Sequence, residues 1–214
     1  MNTIHLDNTL PNVFLSKSDL QSDIWRQQVC FEKGKTYIIE AGSGTGKSSL
    51  CSFVIGCRRD FDGKILFDGM DSRRLGTKDW VKLRQNNISL LFQELRLFPE
   101  LTAMENVEIK NSLTHFKSKQ EIQCWFEALG IADKMATPIR LMSFGQQQRV
   151  AMIRALVQPF DFLLADEPVS HLDENNSQIM ADIMMEEVRR QGAGVIITSI
   201  GKHMNLSYNK VFSL

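Results

Sequence analysis

Residues 41–49, AGSGTGKSS, set three glycines around a lysine and a serine. Gly42, Gly44 and Gly46 let the backbone curve tightly, so that successive N–H groups can face phosphate oxygens. A helix starting near Lys47 adds the positive end of its dipole. Lys47 is placed to meet the β- and γ-phosphates, and the Ser48 hydroxyl to ligate Mg²⁺. The chemistry is the grip of a nucleoside triphosphate. TYIIE stands before this loop and LCSFV after it, and strand, loop and helix in that order separate a phosphate loop from a glycine-rich turn that binds nothing. Position 41 breaks the usual pattern, which asks for glycine. Alanine is tolerated there if its φ stays negative, with Gly42 absorbing the unusual torsion.

A phosphate loop needs a second metal-holding acid at a neighbouring strand end, and FLLADEP (162–168) supplies one. Asp166 is the candidate to hold Mg²⁺, directly or through water. Glu167 follows on the other side of the strand end, placed to polarise a water attacking the γ-phosphate. LLFQE ends another apolar run with Gln93, which can reach the metal or that water. The segment MSFGQQQRVAMIRALV (142–157) sets a small polar turn before a helix with Val150, Ile153 and Val157 on one face, and Ser143 is a natural N-cap. Spacing alone does not separate this second anion-ready helix start from an ordinary capped helix.

The elements that must position these groups follow from apolar patterning. Short runs at 36–41, 64–69, 88–93, 161–166, 195–200 and 210–214 are rich in Ile, Leu, Val and Phe with little alternation, as in strands covered on both faces. Helical periodicity lies between them: Ile122, Trp125, Phe126 and Leu129 form one stripe, and Met180, Ile183, Met184 and Val188 another. Alternating strands and helices imply an α/β fold with a mainly parallel sheet. Between Gln93 and Ser143 the pattern is helical without a strand, which reads as a helical subdomain inserted into the core.

Length suits one domain: 214 residues, with 25 Lys+Arg against 25 Asp+Glu and 43% hydrophobic residues. Zero net charge gives no support to nucleic-acid binding. The four cysteines, Cys30, Cys51, Cys57 and Cys124, form no CxxC pair and are expected as buried free thiols, with Leu50, Phe53, Val54 and Cys57 on one helix face. The first residues, MNTIHLDNTLPNVF, lack the charged start and apolar run of a signal peptide, and no stretch approaches the ~20 apolar residues of a membrane helix. A membrane role therefore calls for a second chain.

Taken in order, these segments resemble the nucleotide-binding subunit of ABC transporters, from about Val29 to about Thr198. AGSGTGKSS is similar to the Walker A loop, LLFQELRLFPELTAMENV to the Q-loop and the start of the helical subdomain, and MSFGQQQRVAMIRAL to the signature. FLLADEP is similar to Walker B with its glutamate, and SHLD (170–173) to the D-loop. LTAMENV and LADEP resemble the branch of lipoprotein-releasing, macrolide-efflux and cell-division ATPases.

The resemblance implies a single nucleotide-binding domain over 1–214: a P-loop core of 1–93 and 158–214, an antiparallel β region near the N-terminus, and a helical subdomain at about 94–157. It implies ATP and Mg²⁺ as cofactors. Contacts to nucleotide fall to Gly42, Ser43, Gly44, Thr45, Gly46, Lys47, Ser48 and Ser49, metal binding to Ser48, Gln93 and Asp166, and catalysis to Glu167, Lys47, Gln93 and, at the switch position, Ser199. It also implies head-to-tail pairing with a second copy or a similar chain. Ser143, Gly145 and Gln146 of one chain then cover the ATP held by the other, and Asp173 links the two sites. An aromatic ring stacks on adenine, Phe14 first and Trp25 second, although an ordinary core role for Phe14 fits the sequence equally well. The partner is a permease, and the chain sits peripherally on the cytoplasmic face of the membrane without entering it.

Three positions depart from that pattern. Ala41 replaces a Walker A glycine. Phe144 replaces a signature glycine, with Met142 for leucine before it. Ser199 stands where the family's switch histidine follows the VIIT strand, and a serine makes a weaker phosphate contact than a cationic ring. Slow hydrolysis is the expectation, and with it the alternative of an ATP-responsive regulator of an envelope or division complex that carries no substrate. His203, four residues on, is the nearest replacement. A soluble ABC ATPase of DNA repair or translation is disfavoured by the neutral charge, the lack of a coiled-coil insertion and the single cassette.

Overall fold

Apolar runs become strands where both faces can be covered, and amphipathic runs become helices that cover them. In the computed structural model the described residues are 1–17, 19–42, 44–201 and 203–214. In chain order the elements are β1 (Thr3–Pro11), β2 (Gln28–Glu32), β3 (Thr36–Glu40), α1 (Lys47–Val54), β4 (Phe61–Phe67), β5 (Met70–Asp71), α2 (Thr77–Asn86), β6 (Ile88–Leu91), α3 (Ala103–Asn111), α4 (Lys119–Ala128), α5 (Phe144–Leu156), β7 (Phe162–Asp166), α6 (Glu174–Gln191), β8 (Gly194–Ser199) and β9 (Lys210–Ser213).

Two sheets result. The larger, in the order β6-β7-β8-β3-β9, pairs its strands in parallel. Its register sets Glu40 opposite Ser199 and Asp166 opposite Thr198. The phosphate loop, the acidic pair at 166–167 and Ser199 therefore leave three adjacent strands at one level, at their carboxyl ends, where open parallel sheets bind ligands. The smaller sheet, β2-β1-β4-β5, is antiparallel. The run at 64–69, expected as a strand buried on both faces, belongs to this second sheet as β4. Phe61, Ile65 and Phe67 are buried while Asp62 and Lys64 are exposed, the alternation of a sheet with one wet face.

Two apolar clusters flank the parallel sheet. Leu163, Ala165, Val195 and Ile197 pack into one with residues of α3, α4, α5 and α6. Their neighbours Phe162, Leu164 and Ile196 pack into the other with α1 and the antiparallel sheet. Both helical stripes read from the sequence lie in the first cluster, with Trp125 at its edge. Between Gln93 and Ser143 the described residues form α3 and α4 and no strand, only a bridge between Thr102 and Pro138. Each of these helices starts on a capping box, Thr102 with Glu105 and Ser118 with Glu121. No helix among the described residues is long and apolar enough to cross a membrane.

The cysteine expectation is corrected. Only Cys51 is buried; Cys30, Cys57 and Cys124 are exposed. The first helix ends at Val54, so Cys57 lies in the turn beyond it and not on the helix face. Burial, and next the charge of Asp166, push the Cys51 thiol well above its ordinary range, which keeps it unreactive.

Candidate functional site

The site begins with the turn between β3 and α1. Gly44 (φ +78°) and Gly46 (φ +103°) take the left-handed conformations that let the chain reverse into the helix. Ala41 and Gly42 keep negative φ: the alanine is tolerated as expected, but the unusual torsions fall on Gly44 and Gly46 rather than on Gly42. Ala41 N–H donates to the Ser199 carbonyl (3.1 Å), which ties the loop to the end of β8. Thr45 Oγ1 donates to the Gly42 carbonyl (3.0 Å) and so closes the loop on itself. Ser43, expected among the phosphate contacts, lies outside the described residues.

Gly46 is also a close approach. A Cβ there would stand 3.1 Å from Phe14 and 3.1 Å from Trp25. Trp25 is 1% exposed and its indole N–H donates to the Thr45 carbonyl (3.0 Å), so this ring props the loop from beneath. Phe14 is 7% exposed and lines the cleft above the loop, with the Lys17 ammonium 4.6 Å from its ring centre.

The Lys47 ammonium, 5% exposed, donates to the Gly42 carbonyl (2.8 Å) and lies 3.7 Å from Glu167 Oε1. Ser48 Oγ meets Gln93 Oε1 at 3.3 Å. Asp166 is 4% exposed and accepts a hydrogen bond from the Thr198 hydroxyl. Glu167 has φ +51°, a conformation that costs a non-glycine residue about 1 kcal/mol or more and turns its carboxylate toward Lys47. The strain is held by neighbours. Glu167 N–H donates to the Thr198 carbonyl (3.1 Å), and Gln148 Nε2 of α5 donates to the Pro168 carbonyl (2.6 Å).

One cleft of about 320 Å³ is lined by Phe14, Gly44, Gly46, Lys47, Ser48, Ser49, Gln93 and Glu167, with Val13 and Ile200 at its rim; Asp166, 4% exposed, is not among its lining residues. Its donors are a cation, hydroxyls and backbone N–H groups, which suits a polyphosphate. The metal candidates Ser48, Gln93 and Asp166 all offer hard oxygen donors, the set that Mg²⁺ prefers. Ser199 is 3% exposed at the end of β8. His203 does not take its place: Nε2 lies 3.2 Å from Glu40 Oε1.

Ser143, Gly145, Gln146 and Asp173 do not line this cleft. They form a second assembly. Ser143 caps α5, its hydroxyl accepting from Gln146 N–H (3.3 Å) while Gln146 Oε1 accepts from Ser143 N–H (2.9 Å). Asp173 caps α6 by accepting from Asn176 N–H (2.9 Å), and this bond holds its carboxyl below the ordinary range. Arg149 joins the two helices, with Nε on the Gly145 carbonyl (3.2 Å) and Nη1 on Asn176 Oδ1 (2.9 Å). Phe144 packs edge-on to His171, with ring centres 4.5 Å apart. A Cβ on Gly145 would stand 3.2 Å from Leu172.

Sequence reasoning missed Thr198, Gln148 and Arg149. The threonine, a hydroxyl inside an apolar run level with Asp166, was the readable signal. The two α5 side chains become meaningful only once α5 lies beside β7 and α6.

The family model described as "ABC transporter" matches residues 26–170. The ABC transporter ATP-binding protein YtrE of Bacillus subtilis is 32% identical over 182 residues, covering 83% of this chain and 79% of the relative. The macrolide export ATP-binding/permease protein MacB of Shewanella sp. is 28% identical over 186 residues, 85% of this chain but 28% of that longer protein. Among solved structures, the dimeric bacterial ABC transporter cassette MJ0796 superimposes with a TM-score of 0.75 at 25% identity, covering 92% of this chain and 87% of that one. A post-hydrolysis dimer of the same cassette, bound to ADP and Pi, gives 0.74, again at 25% identity with coverage of 92% and 87%.

Proposed function

Since this chain belongs to the ABC transporter family and is one of its ATPases, we propose that it powers a membrane complex by closing head to tail on ATP with a second cassette. The observation that carries this reading is the single cleft shared by Lys47, Ser48, Gln93 and Glu167. Lys47 and the loop N–H groups hold the β- and γ-phosphates. Mg²⁺, held by Ser48, Gln93 and Asp166, would supply charge neutralisation between the phosphates when bound. Glu167 accepts the proton of the attacking water, its carboxylate kept in reach by the strained backbone.

Ser143, Gly145 and Gln146 cover the partner's nucleotide and Asp173 links the two sites, which accounts for their distance from the cleft of their own chain. Phe14 is the adenine platform, since Trp25 is used beneath the loop. The core is 1–93 and 158–214, and 94–157 forms the helical part that meets a permease at the cytoplasmic face. A groove of about 250 Å³ between the end of β6, α3 and α5 supports that docking, with Phe98, Ile109 and Leu113 about half exposed along it. Of the efflux and lipoprotein-release types, the likeness to the macrolide exporter supports efflux. Ser199 favours the regulatory alternative, in which closure matters more than turnover.

Phosphate release and size-exclusion with light scattering test this together. Glu167→Gln is expected to cut hydrolysis about 100-fold or more while ATP then holds a stable dimer. A Glu167→Gln protein that stays monomeric with ATP, Mg²⁺ and its permease would overturn the reading.

A further inference from the structure

Beyond the last turn of α1 the chain folds back along the helix, with the N–H groups of Cys57 and Arg58 both donating to the Ser52 carbonyl (2.9 and 3.2 Å). This turn, the start of β4 and the first turn of α2 enclose a cavity of about 100 Å³, lined by Arg58, Arg59, Phe61, Ser72, Arg73 and Trp80. Its charges are unevenly matched. Arg58 is paired with Asp60 and donates to Ser49 Oγ (2.9 Å). Arg59 and Arg73 have no carboxylate partner among the described residues. They stand over aromatic rings, 6.0 Å from Trp80 and 5.6 Å from Phe61.

Trp80 is 4% exposed and its buried indole N–H meets no acceptor. Nearby acids are committed elsewhere: Asp71 accepts from Arg73 N–H (2.9 Å) and Asp79 from Gly76 N–H (2.9 Å). The negative end of α1 is neutralised by Arg84, which binds the Ile55 and Gly56 carbonyls (2.8 and 3.1 Å). The positive end of α2 adds to the field of the two arginines.

We propose that this cavity binds a phosphate ester through Arg59 and Arg73, with the Trp80 ring as one wall. Two guanidinium forks and the Ser72 hydroxyl give donors from several directions, which suits a tetrahedral oxyanion. The volume admits one phosphate group and not a nucleotide, whose pockets run from about 300 Å³. Arg58 reaches Ser49, a residue of the nucleotide cleft, so the two sites lie one side chain apart.

The test uses the full chain with its nucleotide cleft saturated by ADP, labelled so that its three tryptophans report by indole ¹⁵N–¹H signals. Inorganic phosphate is titrated in, with the Trp80 signal identified by Trp80→Phe. The expected result is a saturable shift of Trp80, with Trp25 and Trp125 unmoved. Both arginines are exposed, so R59Q/R73Q keeps the fold and weakens binding about tenfold or more. Flotation with phosphatidylglycerol against phosphatidylcholine vesicles separates the sources. Flotation on phosphatidylglycerol that R59Q/R73Q abolishes assigns a lipid headgroup, and a phosphate shift without flotation assigns a soluble phosphate ester. Absence of both, or a phosphate shift or flotation that persists undiminished in R59Q/R73Q, overturns the proposal.

Discussion

Glu167 and Ser199 show how single positions divide the work of the cleft. Glu167 is held against its backbone preference by bonds from β8 and α5, so its carboxylate is fixed before nucleotide arrives. Ser199, level with Glu40 at the loop's origin, gives its carbonyl to the loop but has no cation to place near a phosphate. A histidine there would add a charge-assisted hydrogen bond, roughly twice as strong as a neutral one. Ser199→His is therefore expected to raise ATP turnover about tenfold, measured as phosphate release with the permease present. Equal rates would show that the serine does not limit hydrolysis.

Elements are set by caps, bulges and close approaches. The ladder between β1 and β4 shifts register between Asp7 and Leu10, where Asn8 and Thr9 face Gly63. Gly63 has φ +79°, and a Cβ on it would stand 2.2 Å from the Asn8 carbonyl oxygen, which is backbone and cannot move aside. Gly63→Ala is expected to destabilise the chain by roughly 2–4 kcal/mol, measured by urea denaturation. The start of α4 carries a pH dependence. Glu121 accepts from Ser118 N–H, with further help from Arg190 and Lys117, and its pKa falls from 4.5 to about 2. A depressed folded pKa gives stability that is present above 4.5 and is lost as pH falls toward about 2. In Glu121→Gln the melting temperature is expected to fall less steeply across that window, as followed by circular dichroism. The side chain is 37% exposed, so solvent screening keeps the effect modest.

The whole molecule joins two assemblies through α5. One end of this helix carries the Ser143 turn, and Gln148 further along it donates to the Pro168 carbonyl, so a hydrogen bond ties the helix to the residues that follow Glu167. The other face of the same region borders the groove of Phe98, Ile109 and Leu113. Ile109→Ser with Leu113→Ser is expected to reduce co-purification with the permease about tenfold or more, for apolar area removed from a contact. Basal hydrolysis by the isolated chain is expected to stay unchanged. Pull-down against membranes holding the permease, beside an ATPase assay, reads both.

Fold class, the phosphate loop and the acidic strand end were legible in the sequence, because each rests on local chemistry: glycine where the chain must reverse, a run of apolar residues before a carboxylate, a serine before a helix. The helical stripes were legible for the same reason, since periodicity records which face is covered. Residues distant along the chain met only on folding. Tertiary structure moved β4 into an antiparallel sheet and put the loop's torsions on Gly44 and Gly46. It also left three cysteines exposed, set Trp25 under the loop, and gathered Arg58, Arg59 and Arg73 around the cavity beside Trp80. Register, burial and the spending of each hydrogen bond depend on which strands become neighbours, and no local spacing encodes that.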